Sequence, residues 1–118
     1  MTYLDSTKKS LFFILSTTCP HCFKNLKKWN EIAENTDSLR CTVLGISTND
    51  LERTRKYQDT VSLKFQLSAI ADTSFFRKYK VSAYPETILI DSKGFVGGAW
   101  VGELSDEEIK EIQSLLNS

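Results

Sequence analysis

Leu11-Phe12-Phe13-Ile14-Leu15-Ser16-Thr17-Thr18-Cys19-Pro20-His21-Cys22 joins an unbroken apolar run to two cysteines three positions apart with a proline between them. Five consecutive apolar residues suit a strand covered on both faces. Proline is favoured at the first position of a helix, where its missing N–H is not needed. Pro20 therefore predicts a helix beginning there, with Cys19 as its N-cap and Cys22 one turn in. Residues three apart on a helix are neighbours whose Cα separation falls inside the disulfide range, so this pair can open and close a disulfide.

The two sulfurs are not equivalent. A thiolate at Cys19 occupies the place of a capping oxygen, facing free backbone N–H groups and the positive end of the helix dipole, so its charged form is favoured. Cys22 lies closer to the core, where burial predicts a raised pKa and a resolving role. An imidazolium at His21 beside Cys19 would add to thiolate stabilisation, and a more stable thiolate makes a more oxidising couple. Other readings of the same residues are half of a zinc site, a pair of inert core cysteines, and a solvent-facing spectator His21. Zinc takes four ligands, and the chain holds no second Cys-x-x-Cys and no His pair. Cys41, inside an apolar stretch, reads as a small core hydrophobe in preference to a third redox thiol.

Working outward, Phe23, Leu26, Trp29, Ile32 and Ala33 recur at helical spacing from Pro20 to Asn35, with Lys24, Lys27, Lys28, Glu31 and Glu34 elsewhere on the wheel. Cys41 to Ile46 is a second apolar strand, and strand, helix, strand makes a βαβ unit with parallel strands. Asn49 or Asp50 can cap a surface helix to about Asp59, followed by a short strand near Phe65 to Ala71. Asp72 or Thr73 can cap a brief helix holding Phe75, Phe76 and Tyr79. Thr87 to Ile90 and Phe95 to Val101 flank the turn Asp91-Ser92-Lys93-Gly94 as an antiparallel hairpin. Ser105 with Glu108 forms a capping box for a last helix with Ile109, Ile112, Leu115 and Leu116 on one stripe. The expected architecture is a mixed α/β sheet with helices on both faces.

At 118 residues without repeats or linkers, the chain reads as a single domain over 1–118, with 1–10 as a poorly defined N-terminal segment. Fifteen basic residues balance fifteen acidic ones, which argues against a nucleic-acid or anionic-membrane partner. No apolar run approaches the roughly 20 residues that span a bilayer, and Met1 to Asp5 lacks a basic-then-apolar signal pattern, so no membrane insertion by this chain is expected. Three cysteines do not make a disulfide scaffold and leave one thiol over.

The order of these features resembles the thioredoxin superfamily: a buried strand, Cys19-Pro20-His21-Cys22 opening a helix, and later Ala83-Tyr84-Pro85-Glu86-Thr87 leading into a strand. A nearer resemblance is to its TlpA/ResA-like branch of thiol-disulfide oxidoreductases. Its supporting residues are Val43-Leu44-Gly45-Ile46-Ser47, an inserted helix and strand, Tyr79-Lys80-Val81, Pro85 to Asp91, and Gly94. The resemblance covers nearly all residues from Leu11 onward. It implies a thioredoxin-like fold with an inserted helix-strand, a cis proline at Pro85 opposite the cysteine pair, and substrate pairing along the Tyr84 backbone. An ordinary trans turn proline is the alternative for Pro85. The tetrapeptide itself looks like that of periplasmic protein-disulfide oxidants, whose large helical insertion has no room here.

Three departures stand out. Thr18 replaces the Trp usual before the first cysteine. Phe13 occupies the place of the buried Asp of thioredoxins, so proton transfer to Cys22 needs another group, for which Glu86 is the candidate and a solvated edge residue the alternative. The N-terminal β segments common in the family are shortened or missing. The resemblance implies exchange of a Cys19–Cys22 dithiol with protein thiols and disulfides through a mixed disulfide, an upstream redox donor or acceptor, a monomer with no cofactor, and a location outside the cytoplasm, a cytoplasmic one being the alternative. On electron flow the residues conflict, His21 pointing to an oxidant and the downstream frame to a reductant. Competing readings are a non-enzymatic binding module or soft-metal carrier using Cys19, Cys22 and His21, and a thiol peroxidase. The peroxidase pattern Pro-x-x-x-Thr-x-x-Cys fails at both thiols, where Phe12 and Ser16 precede Cys19, and Ser16 and Cys19 precede Cys22.

Overall fold

The apolar run becomes the middle of a sheet because both of its faces are covered. In a computed structural model that describes residues 7–69, 74–79, 81 and 83–117, it forms β1 (Lys9–Leu15). Alternation along the strand sends Leu11, Phe13 and Leu15 into one core and Phe12 and Ile14 into a second on the opposite face. All five are fully buried, each worth about 1.5–3 kcal/mol in water-exclusion terms.

The helix predicted from Pro20 is α1 (Pro20–Glu34), and it lays Cys22, Leu26, Trp29 and Ile32 on the first core. It leads to β2 (Cys41–Ser47), parallel to β1 with Phe12 opposite Leu44. The expected excursion follows as α2 (Leu51–Thr60) and β3 (Gln66–Ala69), the latter parallel to β2. Asp50, not Asn49, caps α2: its Oδ1 accepts the Arg53 N–H at 2.8 Å. Tyr57 and Val61 turn the end of α2 toward the first core. Of the strand expected from Phe65 to Ala71, Gln66–Ala69 is present as β3 and Phe65 precedes it, while Ile70 and Ala71 and the expected caps Asp72 and Thr73 lie outside the described residues. α3 (Ser74–Lys78) brings Phe76 and the following Tyr79 to the second core.

The hairpin is β4 (Glu86–Ile90) and β5 (Val96–Val101), with Gly94 at φ 91° in its turn, a conformation that only glycine adopts at low cost. β4 also pairs antiparallel with β1, giving a five-stranded sheet in the order β3-β2-β1-β4-β5. α4 (Asp106–Leu116) carries the predicted capping box, Ser105 and Glu108 bonding reciprocally at 3.1 and 2.9 Å. Ile109, Ile112 and Leu116 join α1 in covering the first core. Helices therefore lie on both faces, and the N-terminus of α1 emerges at the end of the central strand.

Candidate functional site

The β1–α1 turn is built around a sulfur acting as a cap. Cys19 has extended backbone (φ −92°, ψ 113°), and its Sγ accepts the N–H of Cys22 at 3.3 Å. Its own N–H donates to the Ser16 carbonyl at 3.2 Å. Cys19 is half-buried and Cys22 fully buried, both as free thiols. Burial, followed by the hydrogen bond with Cys19, pushes the Cys22 thiol up to about 12. Cys22 is thus held protonated at neutral pH, while Cys19, packed at the margin of the first core, keeps partial exposure at the helix N-terminus. The difference in burial expected from the helix position is present. Cys41 is buried in the first core, and burial pushes its thiol up to about 11, as expected of an inert core cysteine.

Asn49 holds the loop that carries Cys19. Its Oδ1 accepts from Thr17 N at 2.7 Å, Thr17 Oγ1 at 3.0 Å and Ser16 Oγ at 3.3 Å, while its own N–H donates to Ser47 Oγ at 3.1 Å. Thr54 of α2 completes this support with a bond to Ser47 Oγ at 2.8 Å. The β1–α1 and β2–α2 turns are thereby fastened together. Sequence reasoning found Asn49 only as a possible helix cap, because its partners are more than thirty positions away. Thr18, where a Trp was usual, is exposed and pairs its Oγ1 with Ser16 Oγ at 3.2 Å.

On the other side, the β5–α4 turn meets the start of α1. His21 Nδ1 lies 3.0 Å from Glu103 Oε2, an exposed pair that sequence reasoning did not anticipate. That hydrogen bond, with Lys24 and Lys28 nearby, holds the Glu103 carboxyl below the usual range. The His21 ring, expected from sequence to act on Cys19, is therefore engaged with a carboxylate partner. The adjacent Gly102 (φ 93°) donates its N–H to the Pro85 carbonyl at 2.7 Å. Tyr84–Pro85 is a cis peptide bond. Pro85 is buried and Tyr84 is 47% exposed. Through Glu103 and Gly102 the segment 84–85 is linked to the end of α1 that carries Cys19, Pro20, His21 and Cys22.

Glu86 corrects both of its sequence readings. It is only 2% exposed, so it is not a solvated edge residue and offers no open contact to a substrate. It pairs in register with Ile14, on the side of the sheet where Ile14 and Ile88 form the second core. Cys22 belongs to the first core, so the sheet separates the two groups and Glu86 is no direct proton partner for Cys22. Phe13, in the place of the missing carboxylate, stacks on Trp29 at 5.1 Å and meets Phe65 edge-on at 5.0 Å. The polar groups on the Cys22 side come from elsewhere. Asn25, one turn along α1, is fully buried and accepts the Leu104 N–H at 3.0 Å. Lys28 Nζ donates to the Leu104 carbonyl. Trp29 Nε1 donates to Thr87 Oγ1 at 3.0 Å. A buried Asn inside an amphipathic pattern was the signal available for Asn25.

Among the described residues no group of three or more His, Cys, Asp or Glu side chains could hold a metal ion, and no helix is long and apolar enough to cross a membrane. The same fold recurs in StoA from Bacillus subtilis (TM-score 0.80, 16% identity, 92% of this chain and 84% of that one). It recurs in a thiol-disulfide isomerase from Corynebacterium glutamicum (TM-score 0.80, 21% identity, 95% and 82%). It is found again in the exposed lipoprotein thioredoxin Etrx1 of Streptococcus pneumoniae (TM-score 0.80, 18% identity, 95% and 85%). These identities establish the thioredoxin-like fold alone. No curated protein sequence matches the chain. The profile of the AhpC/TSA family matches residues 2–98, most of the chain, ending within β5. With the strand order, the capping cysteine and that match in agreement, the chain belongs to the AhpC/TSA family of the thioredoxin superfamily.

Proposed function

We propose that this protein is a thiol-disulfide oxidoreductase acting on protein thiols and disulfides. The observation that carries the reading is the asymmetry of the pair: a half-buried Cys19 at a helix N-cap, accepting an N–H at 3.3 Å, beside a fully buried Cys22. The Cys19 thiolate attacks one sulfur of a substrate disulfide, and the other substrate sulfur leaves and takes a proton. Cys22 then attacks Cys19. The Cys19–substrate bond breaks, the Cys19–Cys22 bond forms, and the Cys22 proton ends on the departing substrate thiol. Two electrons pass to the substrate, and the reverse sequence delivers a disulfide.

Exposed Tyr84 and buried Pro85, linked through Gly102 and Glu103 to the start of α1, form the edge along which an extended substrate segment lies. The names of the C. glutamicum and S. pneumoniae neighbours support the same chemistry and a place outside the cytoplasm. The direction of electron flow is set by the potential of the couple against its partner. With His21 paired to Glu103, the imidazole's contribution to an oxidising couple is reduced, and this favours the reducing direction.

Insulin reduction and refolding of a reduced, disulfide-containing protein test the reading. Cys19→Ser abolishes both activities, and Cys22→Ser accumulates a mixed disulfide on Cys19. Full activity in Cys19→Ser refutes the mechanism. Rapid consumption of hydrogen peroxide through Cys19, without turnover of protein disulfides, would assign the chain to peroxide reduction instead.

A further inference from the structure

Tyr57, near the end of α2, packs its ring against the core that encloses Cys22, yet its hydroxyl is buried and has no hydrogen-bond partner among the described residues. Native proteins rarely leave such a group unsatisfied, and an exception calls for a ligand, a water or a transient partner. The neighbourhood supplies a transient partner. The Tyr57 phenol is pushed up first by burial and then by the nearby Cys22 and Cys19, so it shares its electrostatic surroundings with both sulfurs. A second donor is in the same position: Asn25, one turn from Cys22 on α1, has its Oδ1 occupied by Leu104 N–H, while its Nδ2 has no partner. Buried donors with nothing to donate to, in a core whose thiol must ionise, make a setting prepared for a negative charge that is absent at rest.

The need for such a group is visible in the rest of the site. Phe13 stands where a carboxylate would sit, and Glu86 is on the far side of the sheet. We propose that Tyr57 is a positioning residue of the exchange reaction, its hydroxyl donating to the Cys22 sulfur as that sulfur becomes a thiolate and attacks the mixed disulfide. The inference rests on the assignment of Cys22 as the resolving thiol. The hydroxyl keeps its proton, and the Cys22 proton ends on the departing substrate sulfur, so the electron balance of the exchange is unchanged.

Tyr57→Phe removes the hydroxyl and leaves the ring. Reduced protein is mixed with oxidised glutathione, and formation and decay of the glutathione adduct on Cys19 are followed by rapid quenching and mass spectrometry across pH. Removing a hydrogen bond to a charged group predicts adduct decay slowed by about tenfold or more, with its pH midpoint moved upward. Adduct formation stays the same and the melting temperature does not fall, because the resting hydroxyl bonds to nothing and its removal leaves no partner unpaired. Unchanged decay and pH midpoint in a variant that still forms the adduct overturn the role of Tyr57 alone. Equal slowing of both steps with a lower melting temperature also overturns it, since that is the mark of packing. Absence of any adduct on Cys19 in the unmodified protein overturns the resolving-thiol assignment and this inference together.

Discussion

Alkaline pH should destabilise the reduced protein through its two buried thiols. Folding pushes Cys22 up to about 12 and Cys41 up to about 11, from an unfolded value of 9.0. Below pH 9 both folded and unfolded chains hold these protons, and the thiols make no pH-dependent contribution. Above it the unfolded chain releases them while the folded chain does not, so stability falls as pH rises through this window. Each thiol should remove about 1 kcal/mol between pH 9 and pH 10, and the loss steepens toward about 1.4 kcal/mol per further unit until the folded value is reached. Urea titrations under reducing conditions at pH 8, 9, 10 and 10.5 would measure this in the unmodified protein, Cys22→Ala and Cys41→Ala. With a slope of roughly 2 kcal/mol/M, the unmodified midpoint should drop by about 0.5 M more than that of either variant from pH 9 to pH 10. The alanine variants begin lower because each leaves a cavity, so it is the pH slopes that are compared. Parallel curves would show that the thiols ionise freely in the folded state and would refute the protected resolving thiol.

Thr87→Val leaves the buried Trp29 Nε1 without its 3.0 Å acceptor and should cost about 1–3 kcal/mol, seen as a lower urea midpoint with the fold intact by circular dichroism. Gly45→Ala places a Cβ 2.7 Å from Phe65 Cε2 and 2.9 Å from Leu67 Cδ1, so about 1–3 kcal/mol should be lost; unchanged stability would mean that β3 yields freely. Glu103→Gln withdraws the charge that holds His21, and the Cys19–Cys22 couple should become more oxidising against glutathione by less than about fivefold in equilibrium constant, since the pair is exposed. No change, or a shift toward reduction, would show that His21 does not sense the couple. Asn49→Ala removes three bonds from the turn carrying Cys19 and should slow insulin reduction several-fold at unchanged secondary structure, by analogy with other losses of site positioning.

Local rules carried a large part of the architecture. Each predicted element rests on neighbours within a few positions: Pro20 opening α1, the capping box of Ser105 and Glu108, Gly94 in the hairpin turn, and the alternation that hides both faces of β1. The unequal exposure of Cys19 and Cys22 was legible for the same reason, because a helix N-cap and a residue one turn in differ in exposure wherever the helix is placed. The βαβ connection similarly determined that β1 and β2 run parallel.

What local patterns could not carry was any relation between residues distant in sequence. Glu86 reads as a proton partner because it follows Pro85, yet a strand alternates its faces, and the register of Glu86 with Ile14 put it across the sheet from Cys22. His21 reads as a neighbour of Cys19 until the β5–α4 turn brings Glu103 within 3.0 Å of its ring. Asn25 and Tyr57 carry no motif and Asn49 only that of a possible cap; their surroundings come from turns and helices that meet around α1 only after the sheet has formed. The cysteine spacing alone thus determined that disulfide chemistry is possible, because it is a property of one helical turn. Which groups shield, position and tune the two sulfurs was decided by packing, because burial and electrostatic contact depend on distances that only the closed fold defines.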